Sequence, residues 1–284
     1  MLDHLLRQPD ALALALLVVL VGLTVAVGLV AGRRRDAVAA READQPEMVT
    51  TWPQLLRREL IAALAALLVV AWWAIGFRLP VGAPADPAIT PAIAKAPWFF
   101  VGVQETLQYF DAWLAGAVLP LVMLIGLCAL PYLDVNPEGS GRYTLRGRPV
   151  ALIVTLGLVL IWLLPMIVGQ LLRGEHWALQ PVWRPPPVEL PLPPPRLLSV
   201  ADRLGLGGLP AQLLGGLLCL GPYLALPLVW GPLARRRPTV ARMGRVRFVI
   251  AGALLLTALG VAFKVLLVAA FDLRYLWVNP WFRI

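Results

Sequence analysis

Few residues of this 284-residue chain could carry chemistry, because 60% are hydrophobic and only 14% are charged. Glu105 is the foremost of them. It follows Trp98 by seven positions in Pro97-Trp98-Phe99-Phe100-Val101-Gly102-Val103-Gln104-Glu105, and a helix starting just after Pro97 puts both on one face. A carboxylate beside aromatic rings in a partly dry setting can accept a proton from a hydroxyl within hydrogen-bond reach. The alternative is a carboxylate that simply faces outward. Asp111 is a second acid, better placed as the N-cap of the apolar run that follows it. Lys264 sits inside an apolar run about two turns from its end, where an ammonium either snorkels outward or meets an ion-pair partner or a lipid. The only histidines, His4 and His176, lie near the ends of apolar runs. Cys128 and Cys219 lie within such runs, where a thiol behaves as a small hydrophobe, so neither a metal site nor a disulfide is expected.

The elements that must position these groups are membrane spans. Mean hydropathy is +0.77, and six apolar runs approach or reach the roughly 20 helical residues that cross a bilayer. They cover about 11–32, 60–77, 112–130, 150–172, 209–230 and 248–271. The fold class expected is therefore all-α and integral to a membrane. A net charge of +9 would suit nucleic acid, but the arginines fall in short clusters between apolar runs, which is a topology signal instead. Arg33, Arg34, Arg35, Arg57 and Arg58, then Arg142, Arg146 and Arg148, then Arg235 to Arg247, all fall on one side. That side is expected to be cytoplasmic, with both termini and the segment 95–111 on the outer, positive side. The first run has its basic cluster after it, so it reads as an uncleaved anchor and not a signal peptide.

The loops carry their own signals. Arg33 to Arg58 mixes charge and proline, and reads as a solvated linker or a docking surface for a partner. Pro80, Pro84, Pro87, Pro91 and Pro97 should keep 79–97 extended. Asp134 to Gly141 should form a tight turn, and Pro165 should disturb the fourth span. The proline-rich stretch 181–196 suits polyproline II, as a spacer or a contact for an extrinsic subunit. Trp277, Trp281 and Phe282 suit an interfacial aromatic belt.

Lys95-Ala96-Pro97-Trp98-Phe99-Phe100, Gln104-Glu105, Tyr109-Phe110-Asp111 and Pro131-Tyr132-Leu133-Asp134-Val135-Asn136-Pro137 together resemble the C-terminal half of cytochrome b. The similarity is to its split form, as in subunit IV of cytochrome b-f type complexes and bacterial quinol-cytochrome c reductases. It covers Thr50 to Arg148 and, more loosely, Tyr275 to Phe282. In that family a Pro-Glu-Trp-Tyr motif lines the quinol oxidation site. Ala96-Pro97-Trp98-Phe99 stands here at that point, so the family's glutamate and tyrosine are absent and Glu105 is the nearest substitute.

The resemblance implies a non-haem subunit of a quinol-cytochrome c oxidoreductase, not catalytic alone, that lines part of the outer quinol site. Glu105 would serve as proton acceptor, with Pro97, Trp98, Phe99 and Phe100 binding quinol or anchoring at the interface. Two bis-histidine haems need four ligands, so haem b is expected on a partner, a haem-bearing N-terminal cytochrome b subunit. His176 is read as a surface residue or, less simply, an axial ligand. An iron-sulfur (Rieske-type) or cytochrome c subunit, lipids and a dimeric complex complete the expected partners, in a bacterial inner membrane. Residues 1–49 would be an added anchor and linker, 50–148 the family-like core, and 149–284 three further spans. The competing readings are a scaffold subunit without an active quinol site and an unrelated transporter, although no internal repeat supports the latter.

Overall fold

A computed structural model describes residues 9–39, 50–76, 88, 94–136, 144–174, 177, 179, 198–271 and 273–284. Six of its helices are long and apolar enough to cross a membrane, in close register with the six apolar runs. In chain order the elements are α1 (Pro9–Ala39), an irregular turn Thr51–Leu55 leading into α2 (Leu56–Gly76), and the short α3 (Val101–Thr106). A wide π-helical turn, Leu114–Val118, leads into α4 (Leu119–Leu133). Then follow α5 (Pro149–Leu171), the single turn α6 (Val200–Arg203), α7 (Gly208–Arg236) and α8 (Pro238–Phe271). The chain is a multi-pass membrane protein of all-α class. One detail departs from that description: β1 (Leu198–Ser199) pairs in parallel with β2 (Leu273–Tyr275).

The chain divides into two compact units, residues 34–90 and the remainder. In the first, α2 buries none of its residues, and Leu60, Ile61, Leu67, Leu68 and Ile75 are all exposed. A helix that is apolar all round and unburied within its own chain is suited to lipid or to other subunits.

The second unit has its core where α4, α5 and α8 meet. Leu119, Leu133, Val154, Leu158, Ile161, Met243, Ala251, Ala258 and Val261 form one buried cluster there. Lipid tails are as apolar as leucine, so close packing and polar contacts, not removal of apolar surface from water, hold such helices together. Small residues make the approach possible: Gly126 faces Leu158 and Leu254, and Gly157 faces Ala258. The span within α8 starts after a break at Gly244, whose φ of 72° and ψ of 170° suit glycine alone. That break separates Pro238–Met243 from the long apolar part of the helix.

At one end of this unit Arg148 pairs with Asp134 at 3.1 Å. At the other, 94–111, the residues after α5 and the segment 273–284 come together. The segment 276–284 folds on itself, with Trp277 and Ile284 exchanging backbone hydrogen bonds of 2.9 Å. Asp111 is an N-cap by its backbone, since its carbonyl accepts from Ala115 at 2.9 Å. Its side chain does something else: Oδ2 accepts from the backbone N–H of Arg283 at 2.7 Å and ties the folded segment down. The C-terminal aromatics are likewise not one belt. Trp281 is exposed, whereas Trp277 packs against Gly215, donates to Gln212 Oε1 at 2.8 Å and stacks edge-on with Phe282. Most of the proline-rich stretch 79–97, all of 181–196, the turn beyond Asn136, and His4 and His176 lie outside the described residues.

Candidate functional site

The expected helix from Trp98 begins three residues later. Residues 98–100 form a turn in which the Pro97 carbonyl accepts from Phe100 and Val101 at 2.8 and 3.1 Å, and α3 starts at Val101. Gln104 fixes the approach to this turn. Its Oε1 accepts from the Ala96 N–H at 2.7 Å and its Nε2 donates to the Ala94 carbonyl at 2.8 Å.

Two glycines let α3 lie against α5. A methyl group at Gly102 would stand 2.7 Å from Met166 Cγ and 3.3 Å from the Trp162 carbonyl. At Gly169 on α5 it would meet the Val101 carbonyl at 3.1 Å and Glu105 Cβ at 3.2 Å. Neither position has room for a side chain unless the neighbours move. This interlock places Glu105 over the end of α5, where Arg173 follows.

Glu105 is fully buried, and four donor groups converge on its carboxylate. Arg173 Nε lies 3.0 Å from both oxygens and Nη2 lies 2.7 Å from Oε1. Trp177 Nε1 donates to Oε2 at 2.9 Å, and the Tyr109 hydroxyl donates to Oε1. Arg173 also donates through Nη2 to the Tyr109 oxygen at 3.2 Å and through Nη1 to the Trp177 carbonyl at 2.9 Å. Trp177 has φ of 58°, a left-handed conformation uncommon for a bulky residue, and the two bonds from its ring and its carbonyl hold it there.

These contacts shift the neighbouring titrations. Burial lowers Arg173, but its hydrogen bonds to Glu105 and the carboxylate's charge outweigh this and hold the guanidinium above its usual value. Burial, then the Glu105 charge, push the Tyr109 phenol well above its ordinary range. Lys95 donates to the Gln170 carbonyl at 3.0 Å; burial lowers its ammonium, and the attraction of Glu105 offsets part of that. A buried carboxylate that is paired bidentately and takes two further hydrogen bonds is a holding group. To accept a proton from a substrate, it must first leave Arg173.

The aromatic residues form a surface beside this cluster. Trp98 is half-buried against the group Leu14, Val101 and Met166, together with Trp162 and Trp177. Phe99 and Phe100 are 46% and 57% exposed. Their rings meet edge to face at 5.4 Å, and Phe99 leans on Trp162 at 5.3 Å. The structure thus gathers Glu105 with Tyr109, Arg173 and Trp177, and leaves Phe99 and Phe100 as an open aromatic face. The cavity adjoining Gly102 and Trp162 holds only about 10 Å³, too small for a ring. Sequence reasoning did not find Arg173 and Trp177 as partners of Glu105. The spacing of Glu105 and Tyr109, four apart on one helical face, was a usable signal for the first half of the cluster.

A sequence model of the family described as cytochrome b (C-terminal)/b6/petD matches residues 84–180. Residues 84–180 are thus similar to the C-terminal part of cytochrome b. No curated protein and no solved structure matches the chain. The cytochrome b segment starts later than the resemblance quoted from the sequence and extends further, through α5 to Arg173 and Trp177. It therefore takes in both halves of the Glu105 cluster.

Proposed function

We propose that the chain is a non-haem membrane subunit of a quinol-cytochrome c oxidoreductase, in which the cytochrome b segment supplies one wall of a quinol oxidation site on the outer side. The observation that supports this most is the open aromatic face of Phe99 and Phe100, held in place within the matched segment by the buried Glu105–Arg173 pair. Two exposed edge-to-face rings suit a flat quinol ring. The remaining walls come from a partner, a haem-bearing N-terminal cytochrome b subunit. The haems belong to that partner, and electrons would pass from quinol to the redox centres of the partners, the haem-bearing subunit and an iron-sulfur or cytochrome c subunit. The arginine distribution supports the outer placement, in the cytoplasmic membrane of a bacterium.

Within this proposal Glu105 positions the aromatic face. Its other role, as proton acceptor, requires the ion pair to open during turnover. The double variant Glu105→Gln with Arg173→Met separates the two, because it removes both charges and leaves no lone buried ion. Recovery of assembly and of quinol turnover supports positioning; recovery of assembly with turnover still absent supports proton transfer.

The experiment for the whole reading is purification of the tagged chain in mild detergent, a reduced-minus-oxidised spectrum, and identification of co-purifying subunits. A b-type haem signal carried by a separate histidine-rich subunit, with quinol turnover that falls in Phe100→Ala, is the expected result. A haem-bearing complex whose quinol turnover is indifferent to Phe99 and Phe100 changes favours the scaffold reading.

A further inference from the structure

A second buried charge lies away from the Glu105 cluster. Lys264 on α8 is 2% exposed and has one oxygen partner, the Arg274 carbonyl at 2.6 Å from Nζ. The ammonium carries three donors, of which that carbonyl takes one, and it also lies over the rings of Phe110 and Tyr275, with centroids at 5.3 and 5.5 Å. Among the described residues no carboxylate forms an ion pair with Lys264, which has a neutral carbonyl and two ring faces instead.

Lys264 also lines a cleft of about 670 Å³ between α4, α7 and α8, a size within the range of small-molecule sites, roughly 300–1,000 Å³. The other walls are almost wholly apolar, among them Val122, Leu218, Leu256, Leu259 and Phe263, of which Leu218, Leu259 and Phe263 are exposed at its rim. Its polar end is well defined in depth. Arg274 lies three residues beyond Phe271, the end of α8, so the Lys264 side chain reaches toward the end of the bundle and not its middle.

We propose that this cleft binds an anionic phospholipid, with one acyl chain between α4, α7 and α8 and the phosphate against the ammonium of Lys264. A buried ammonium with a single neutral acceptor is costly, and an anionic oxygen cluster at the level of the headgroups satisfies both its charge and its free donors. A long apolar slot suits the chain of the same molecule. The site lies in part outside the matched segment, on helices that follow it.

The test is native mass spectrometry of the purified complex, stripped of loosely held lipid and offered dioleoylphosphatidylglycerol or dioleoylphosphatidylcholine. The expected result is retention of one phosphatidylglycerol per chain, at least about tenfold over phosphatidylcholine, the scale of one well-placed charge contact. Lys264→Met, which keeps length and removes charge, abolishes that preference. Gly260→Leu provides a second arm: Gly260 lines the cleft and a methyl there meets nothing within 4 Å, so the side chain enters the slot and blocks both lipids. Equal retention of the two lipids, a preference unchanged in Lys264→Met, or a quinone or partner helix found in the cleft instead would overturn the proposal.

Discussion

Glu105 and Lys264 are both buried charges near the same end of the bundle, and they are treated in opposite ways. Glu105 has an arginine, a tyrosine and a tryptophan on its two oxygens. Lys264 has one carbonyl and two ring faces and opens on a cleft of about 670 Å³. A charge whose partners are all supplied by its own chain organises that chain. One whose partners are missing, beside space for them, is left to bind something else.

The largest expected effect tests the first half of that contrast. Glu105→Gln or Arg173→Met alone strands the other charge inside the protein and should cost about 3–5 kcal/mol, roughly two to nearly four orders of magnitude in the assembly equilibrium, read as lost recovery of the complex. Lys264→Met should behave differently, leaving the melting temperature unchanged or raised, since it removes a buried charge that has no ion-pair partner among the described residues and strands none. Equal losses from Arg173→Met and Lys264→Met would break the distinction.

Tyr109→Phe removes the hydroxyl that donates to Glu105 and accepts from Arg173, at about 1.5–3 kcal/mol, and alters the alkaline behaviour. The folded phenol is raised above its unfolded value near 10, so its contribution is complete below about pH 10 and is lost as pH climbs toward the folded value. Thermal melts from pH 8 to 11 should show that loss in the parent and a flatter profile in Tyr109→Phe. Gly102→Ala forces Met166 and the α3–α5 contact apart, at about 1–3 kcal/mol, read as faster proteolysis of 94–111. The smallest effect belongs to Phe100→Ala. Loss of one aromatic contact is worth about 0.5–1.5 kcal/mol and should lower quinol turnover threefold to tenfold while assembly is untouched.

The spans were legible because a bilayer makes one simple demand, a run of about 20 apolar residues, and six runs meet it. The cytochrome b character of the middle of the chain was legible in its motifs and is carried by the match over 84–180. Glu105 could be singled out as a lone acid among aromatics. Its partners could not, because Arg173 is 68 residues away and counts in the sequence as one more arginine after a span. Lys264 was visible as a charge in an apolar run, where snorkelling is the simplest reading and an ion pair or lipid contact the alternatives. The fold decides against an exposed end: the side chain is buried with a backbone carbonyl.

Composition and periodicity thus determined which segments enter the membrane and which residues are unusual there. Only the tertiary structure decided which of the unusual residues find each other. Hydropathy acts on each segment separately, whereas a hydrogen bond or ion pair depends on where two distant segments are brought by close helix packing, here the interlock of Gly102 and Gly169 that sets Glu105 above Arg173.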